Sequence, residues 1–149
     1  MAAMKAPVTA GIILALLLFG HTAHAADAIH VAASSVGYAQ RLADLINQYR
    51  QRHGLGPLSE VADLSSLAAE HTSRMADQHH LSHDGFRDRF DRTHAKICVE
   101  NVWWNFPYPE AQLEGWRASP GHHRNLLEPK VTQMGVAVSR SYVTFFACS

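Results

Sequence analysis

Histidine and cysteine are the residues best able to do chemistry in this chain. Of 149 residues, 11 are His and 2 are Cys. His79 and His83 stand four apart, a spacing that can hold zinc on one helix face. The intervening Leu81-Ser82-His83-Asp84-Gly85 segment reads as a turn that breaks the helix, so His79, His80 and His83 are expected in solvent. His71 falls on the apolar stripe of a helix and is expected as a hydrogen-bonded core or cleft-floor residue. Glu70 beside it makes no metalloprotease signature, because His-Glu-x-x-His occurs nowhere in the chain. There is also no nucleophile elbow, and no Ser or Cys is paired with a positioned base.

The two cysteines, Cys98 and Cys148, take their meaning from the start of the chain. Lys5 supplies a positive charge, residues 8–19 form an apolar run, and Ala23-His24-Ala25 places small residues before Ala26. Charge, a short apolar stretch and an A-x-A site together read as a secretory signal peptide over 1–25. The run is shorter than the roughly 20 residues a spanning helix needs, so no stable membrane span is expected after cleavage. Export leads to an oxidising compartment, where a Cys98–Cys148 disulfide is the natural reading. The alternative is two buried free thiols.

Charge excludes some partners. Losing residues 1–25 removes Lys5 and no acid, leaving 12 basic residues against 13 acidic, a net −1 with His neutral. A near-neutral domain has no electrostatic footprint for nucleic acid and no polybasic run for an anionic membrane. Length fits one domain able to bury a real core.

These residues need elements to position them. Residues 26–37 are small and polar and read as a loose leader. Leu42, Leu45, Ile46 and Tyr49 recur at helical spacing and predict a helix over 36–53, stopped by Gly54, Gly56 and Pro57. Leu64, Leu67, Ala68, His71 and Met75 share the stripe of a second helix over 60–80. A short helix is expected over 86–92 and a strand over 97–103. Pro109 opens a helix over 110–118; Ser119 and Pro120 then cap and lead another through Leu127. Strands over 134–139 and 142–148 flank a hairpin at Arg140-Ser141. The sum is an α+β domain.

Four blocks, in this order, resemble the CAP superfamily, the SCP-like or cysteine-rich secretory, antigen 5 and pathogenesis-related 1 proteins. They are Leu45 to Arg50 with Gly54 to Leu58; Leu64 to Ala76 followed by Ser82-His83; Val99-Glu100-Asn101-Val102; and Trp116 to Leu127, which contains Ser119-Pro120-Gly121-His122. Met134-Gly135-Val136-Ala137 then matches the family's closing strand. The resemblance covers 38–149, of a short bacterial type. It implies a three-layer α-β-α sandwich with a small antiparallel sheet between helices.

The resemblance also implies a cleft of two His and two acidic residues that binds a divalent metal in some members. Carried over, the histidines are His83 and His122 and the first acid is Glu100; Ser119 stands where many members have the second acid. Glu110 and Glu114 lie nearby without a supporting motif. Two imidazoles and a carboxylate suit Zn2+ with a fourth position for water; the same residues equally suit a hydrogen-bonded cluster that never meets a metal. Asn101, Arg124 and Asn125 are expected to be structural, Arg124 with the option of an anion at the rim. Adjacent strand residues face opposite sides, so one of Trp103 and Trp104 is expected to be exposed.

Three functions follow. The first is an exported, non-catalytic binding module whose cleft takes a divalent metal or a small apolar or lipid ligand. The second is a metal-assisted or Glu100-dependent hydrolase, with His83 and His122 polarising or donating protons. The third is a cell-envelope interaction protein. The missing second acid favours the first.

Overall fold

A computed structural model describes residues 20–149, with side chains from Ser34 onward. The signal peptide expected over 1–25 lies largely outside the described residues. The chain divides after Ala32 into two units, and the fold described below is that of Ala33–Ser149.

Helix α1 is Gly20–Arg52. The segment 26–37, expected as a loose leader, is therefore helical. Ala26, Ala28, Ala32 and Ala33 explain the difference, since alanine has the highest intrinsic helix propensity. Strand β1, Ser59–Glu60, was not foreseen; two residues carry no periodicity. Helices α2, Ala62–Gln78, and α3, Phe86–Thr93, follow. Strand β2 is Cys98–Trp104. Helix α4, Pro109–Ala118, has its proline in the first turn as expected. Helix α5 is Pro120–Leu126. Strands β3, Gln133–Ser139, and β4, Tyr142–Cys148, form the hairpin. Ser119 occupies the N-cap position of α5, but its hydroxyl makes no capping bond; its carbonyl accepts from His123 N–H at 2.8 Å.

The sheet order is β1-β3-β4-β2. The two long pairings, β3 with β4 and β4 with β2, are antiparallel, while β1 pairs parallel with β3. The expected small antiparallel sheet is thus β3, β4 and β2, with the two-residue β1 added in parallel at its edge. The pleat sorts side chains onto two layers. On one face Val99, Trp103, Val136, Val143 and Phe145 pack with Leu42, Ile46 and Tyr49 of α1, Leu113 and Trp116 of α4, and Leu126 of α5. On the other, Cys98, Ala137 and Phe146 pack with Leu64, Leu67 and Ala68 of α2 and Phe86 of α3; Val102 and Tyr142 meet Met75 and Ala76. This is the α-β-α sandwich.

Two close approaches set the layers. A Cβ at Gly135 of β3 would lie 2.2 Å from Leu64 C and Ser65 N, so the α2 backbone rests directly on the strand. Across the sheet Arg50, almost fully buried, donates from Nη1 to the carbonyls of Leu126 and Glu128 at 2.9 and 3.0 Å. A guanidinium there satisfies carbonyls that the end of α5 leaves free. Burial pushes the Arg50 pKa down from its usual value, and Glu128 partly opposes that.

Candidate functional site

Cys98 and Cys148 face each other across β2 and β4 and form a disulfide, as expected. Glu100 lies two residues on, on the same face of β2. That face looks toward α2 and α3, and the Glu100 side chain is only 1 % exposed. A buried carboxylate must be paired, and three side chains converge on this one.

Arg89 of α3 supplies the first and strongest contact. Its Nε donates to Glu100 Oε2 at 2.9 Å and its Nη2 to Oε1 at 2.8 Å, a two-pronged fork. Its remaining prong, Nη1, donates to the Asp84 carbonyl at 2.9 Å. The Arg89 side chain is 3 % exposed. Gly85 makes room for it: a Cβ there would sit 3.3 Å from Nη1 of both Arg74 and Arg89, and the residue holds φ +73°, which glycine adopts freely.

His83 is the second. Its Nδ1 lies 2.9 Å from Glu100 Oε1, and its side chain is 53 % exposed. A carboxylate only accepts, so Nδ1 carries the proton, and Nε2 is the nitrogen left for solvent or a ligand. His71 is the third, at 3.8 Å from Oε1, with its Nε2 at 2.8 Å from the Ser82 carbonyl. It is buried, a cleft-floor residue as expected. Burial, first of all, holds its pKa below the ordinary imidazole value; Glu100 opposes and Arg89 reinforces the shift.

His122 occupies a different position. The pleat that sends Glu100 toward α2 and α3 sends Trp103 to the other face, and the His122 ring packs edge-on against Trp103 at 5.5 Å. Its Nδ1 is buried without a partner. Burial lowers its pKa, and His83 lowers it further. The two histidines therefore sense each other across the open edge of β2. Amides hold this edge together. Asn101 Nδ2 donates to the His122 carbonyl at 3.0 Å, and Asn125 Nδ2 donates to the Glu100 carbonyl and to Asn101 Oδ1 at 3.0 and 2.9 Å. Both asparagines are structural, as the sequence suggested. His123 points away to Tyr49, whose hydroxyl lies 2.8 Å from Nε2.

An open pocket of about 280 Å³ lies at this site, lined by His83, Phe86, Cys98, Val99, Glu100 and Asn125. Neither His122 nor Ser119 lines it. Larger hollows of about 320 and 510 Å³ lie elsewhere, one beside Cys148 and one between Tyr38, Phe106 and Val143, away from the His83–Glu100 contact. Of the adjacent tryptophans, Trp104 is the exposed one.

The expected zinc set of His83, His122 and Glu100 does not fit a metal here. Among the described residues no group of three His, Cys, Asp or Glu could hold an ion. The chemistry of the donors gives the reason: both Glu100 oxygens are already bonded, and the cation beside them is Arg89. Sequence reasoning missed Arg89, which carried no motif. Its place between Phe86 and Phe90 in a short, charge-rich helix, with Glu100 the one acid on the following strand, was the only available signal.

The model of the CAP, cysteine-rich secretory protein family matches residues 43–149. The chain belongs to that family. Within it, this CAP domain is 31 % identical over 112 residues to the uncharacterized membrane protein YlbC of Bacillus subtilis, covering 70 % of this chain and 32 % of that protein. Among solved structures it resembles an extracellular SCP-domain protein of Bacillus anthracis, with TM-score 0.73 and 30 % identity over 76 % of this chain and 41 % of the other. It also resembles a cysteine-rich secretory protein of Staphylococcus aureus, with TM-score 0.70 and 25 % identity over 76 % and 38 %. The chain thus spans less than half the length of each of these relatives. No helix among the described residues of this CAP chain is long and apolar enough to cross a membrane.

Proposed function

We infer that this is an exported, non-catalytic binding module that takes a small ligand with an apolar body and a hydrogen-bonding head in the His83–Phe86–Glu100 pocket. One observation carries the reading: the Glu100 carboxylate is buried and both of its oxygens are bonded within the protein. A general base must reach the proton it abstracts, directly or through one water. Glu100, 1 % exposed and already accepting from Arg89 and His83, is tied up as their counter-ion and not poised beside a water. What the site does offer is recognition. Phe86 gives apolar wall, and His83 gives one exposed ring nitrogen fixed in orientation by Glu100. Such a mixture, mostly apolar with a few placed polar groups, is the usual make-up of a small-ligand site.

Export is part of the same reading. It is supported by the leader pattern, by the disulfide, and by neighbours that are themselves extracellular or secretory proteins. The divalent-metal option is not retained, for the reasons of fit given above.

Two assays on the oxidised protein test the proposal. Equilibrium binding of a fluorescent fatty acid is expected to saturate, and His83→Ala and Phe86→Asp are expected to weaken it by about tenfold each, the scale of one lost polar or apolar anchor. A hydrolase panel covering peptides, esters and amides is expected to show no turnover. His83→Ala is the control there, because its side chain is half in solvent and its loss leaves the Arg89–Glu100 fork paired. Turnover abolished in His83→Ala would replace the binding reading with hydrolysis, His83 acting as base.

A further inference from the structure

The cleft holds a cation of its own. Glu100 is the acid that, by resemblance, would face a metal, and the group facing it is the Arg89 guanidinium, at 2.9 and 2.8 Å through two separate nitrogens. We propose that Arg89 is the resident counter-ion of this cleft, standing where a divalent ion would otherwise balance Glu100, and that it makes the site blind to zinc. This deepens the binding reading of the same pocket, but the two fail separately: zinc titration reports on Arg89, and the hydrolase panel on turnover.

Charge, geometry and burial all hold Arg89 in this role. A carboxylate offers about four lone-pair positions, and a forked arginine uses two of them. His83 Nδ1 uses a third. An ion seated on Glu100 would have to strip at least one of these bonds. It would also bring two positive charges against a guanidinium that is itself buried and cannot retreat into water. Nothing around Arg89 invites it to leave. Its third prong is tied to the Asp84 carbonyl at 2.9 Å, and Gly85 leaves no side chain to displace it. Among the described acids Glu100 is the only one bonded to Arg89, so the guanidinium would be stranded if a metal took its partner.

His83 spends its proton-bearing Nδ1 on the carboxylate and keeps a lone pair only at the exposed Nε2, so an ion held there would rest on an imidazole and not on Glu100. His122 packs its ring on Trp103 and makes no contact with the Glu100 carboxylate, whose bonds go to Arg89 and His83. Ser119, at the missing second acid, adds no charge. A site with Ser119 in place of a second acid and a buried arginine on its one carboxylate has little attraction left for a dication.

Zinc titration calorimetry on the oxidised mature protein, with thermal melting in parallel, tests this. The wild type is expected to give no heat that depends on Glu100 or His83, and no zinc-dependent rise in Tm. Arg89→Met keeps the length of the side chain and removes its charge. It is expected to bind zinc at least about tenfold more tightly than wild type, the scale on which groups around a ligand set metal affinity. That gain should vanish when Glu100→Gln is added. Arg89→Lys keeps a positive charge beside Glu100 and is the variant to use if Arg89→Met does not fold; it is expected to stay zinc-blind. Stoichiometric zinc binding by the wild type that Glu100→Gln abolishes would overturn the proposal. So would zinc binding by Arg89→Lys, or a folded Arg89→Met that gains none.

Discussion

At the scale of single residues, two imidazoles give the domain a definite response to acid. His71 and His122 are both held below the ordinary value of 6.5, by burial first in each case. The unfolded chain therefore takes up protons at a pH where the fold does not. Stability rises with pH wherever the unfolded state binds more protons, so their contribution is complete above 6.5 and is lost as pH falls through and below it. Tm measured from about pH 7 down to about pH 5 is expected to fall, and to fall less steeply in His122→Gln, which removes one of the two groups. An unchanged slope in that variant would show that His122 is not protonated only on unfolding. At the same scale the sequence made part of the site readable. His83, Glu100, Asn101 and Asn125 were found, because each sits in a local block whose spacing can be recognised. Arg89 was not, because its partner lies 11 residues away on another element and the contact exists only once α3 packs on β2.

Elements show the same division between local and non-local information. Helix α2 was legible from its apolar period, helices α4 and α5 from their opening prolines, and strands β2 to β4 from their Val, Phe, Tyr and Trp content, β4 being buried along its whole length. Strand β1 was illegible. Its two residues are recruited by β3 through Ser59 N–H to the Thr132 carbonyl and Val61 N–H to the Met134 carbonyl, both at 3.0 Å. The helical 26–37 segment was misread because its polar, periodless composition outweighed its alanine content. Contact between α2 and β3 gives the sharpest test at this scale. Gly135→Ala would place a methyl 2.2 Å from the Leu64 and Ser65 backbone, and a helix backbone cannot swing aside as a side chain can. A loss of about 3 kcal/mol or more is expected in denaturant unfolding, at or beyond the usual range for overpacking. A near-neutral Gly135→Ala would mean that α2 does not rest on β3 this closely. Since α2 also carries His71, any shift there is expected to reach the cleft floor.

For the molecule as a whole, the disulfide joins compartment to site. Cys98 and Cys148 are 50 residues apart, and the bridge ties the edge strand that bears Glu100 to the centre of the sheet. On the chain-entropy model, closing a loop of that length stabilises by about 4 kcal/mol, so reduction is expected to lower the free energy of unfolding by a comparable amount. No change on reduction would show that packing alone holds β2. Family and fold were legible because four blocks span the domain; the charge balance of the cleft was not, because it depends on a single arginine outside them. On the proposed reading, that arginine is what separates a recognition site, with its acid already committed, from an open metal centre.

The most direct test is an anomalous difference map from crystals of the oxidised protein soaked in zinc. The account predicts the Arg89–Glu100 fork intact and no peak within bonding distance of Glu100 Oε1 or Oε2. A zinc peak shared by Glu100, His83 and His122, with Arg89 displaced, would contradict it.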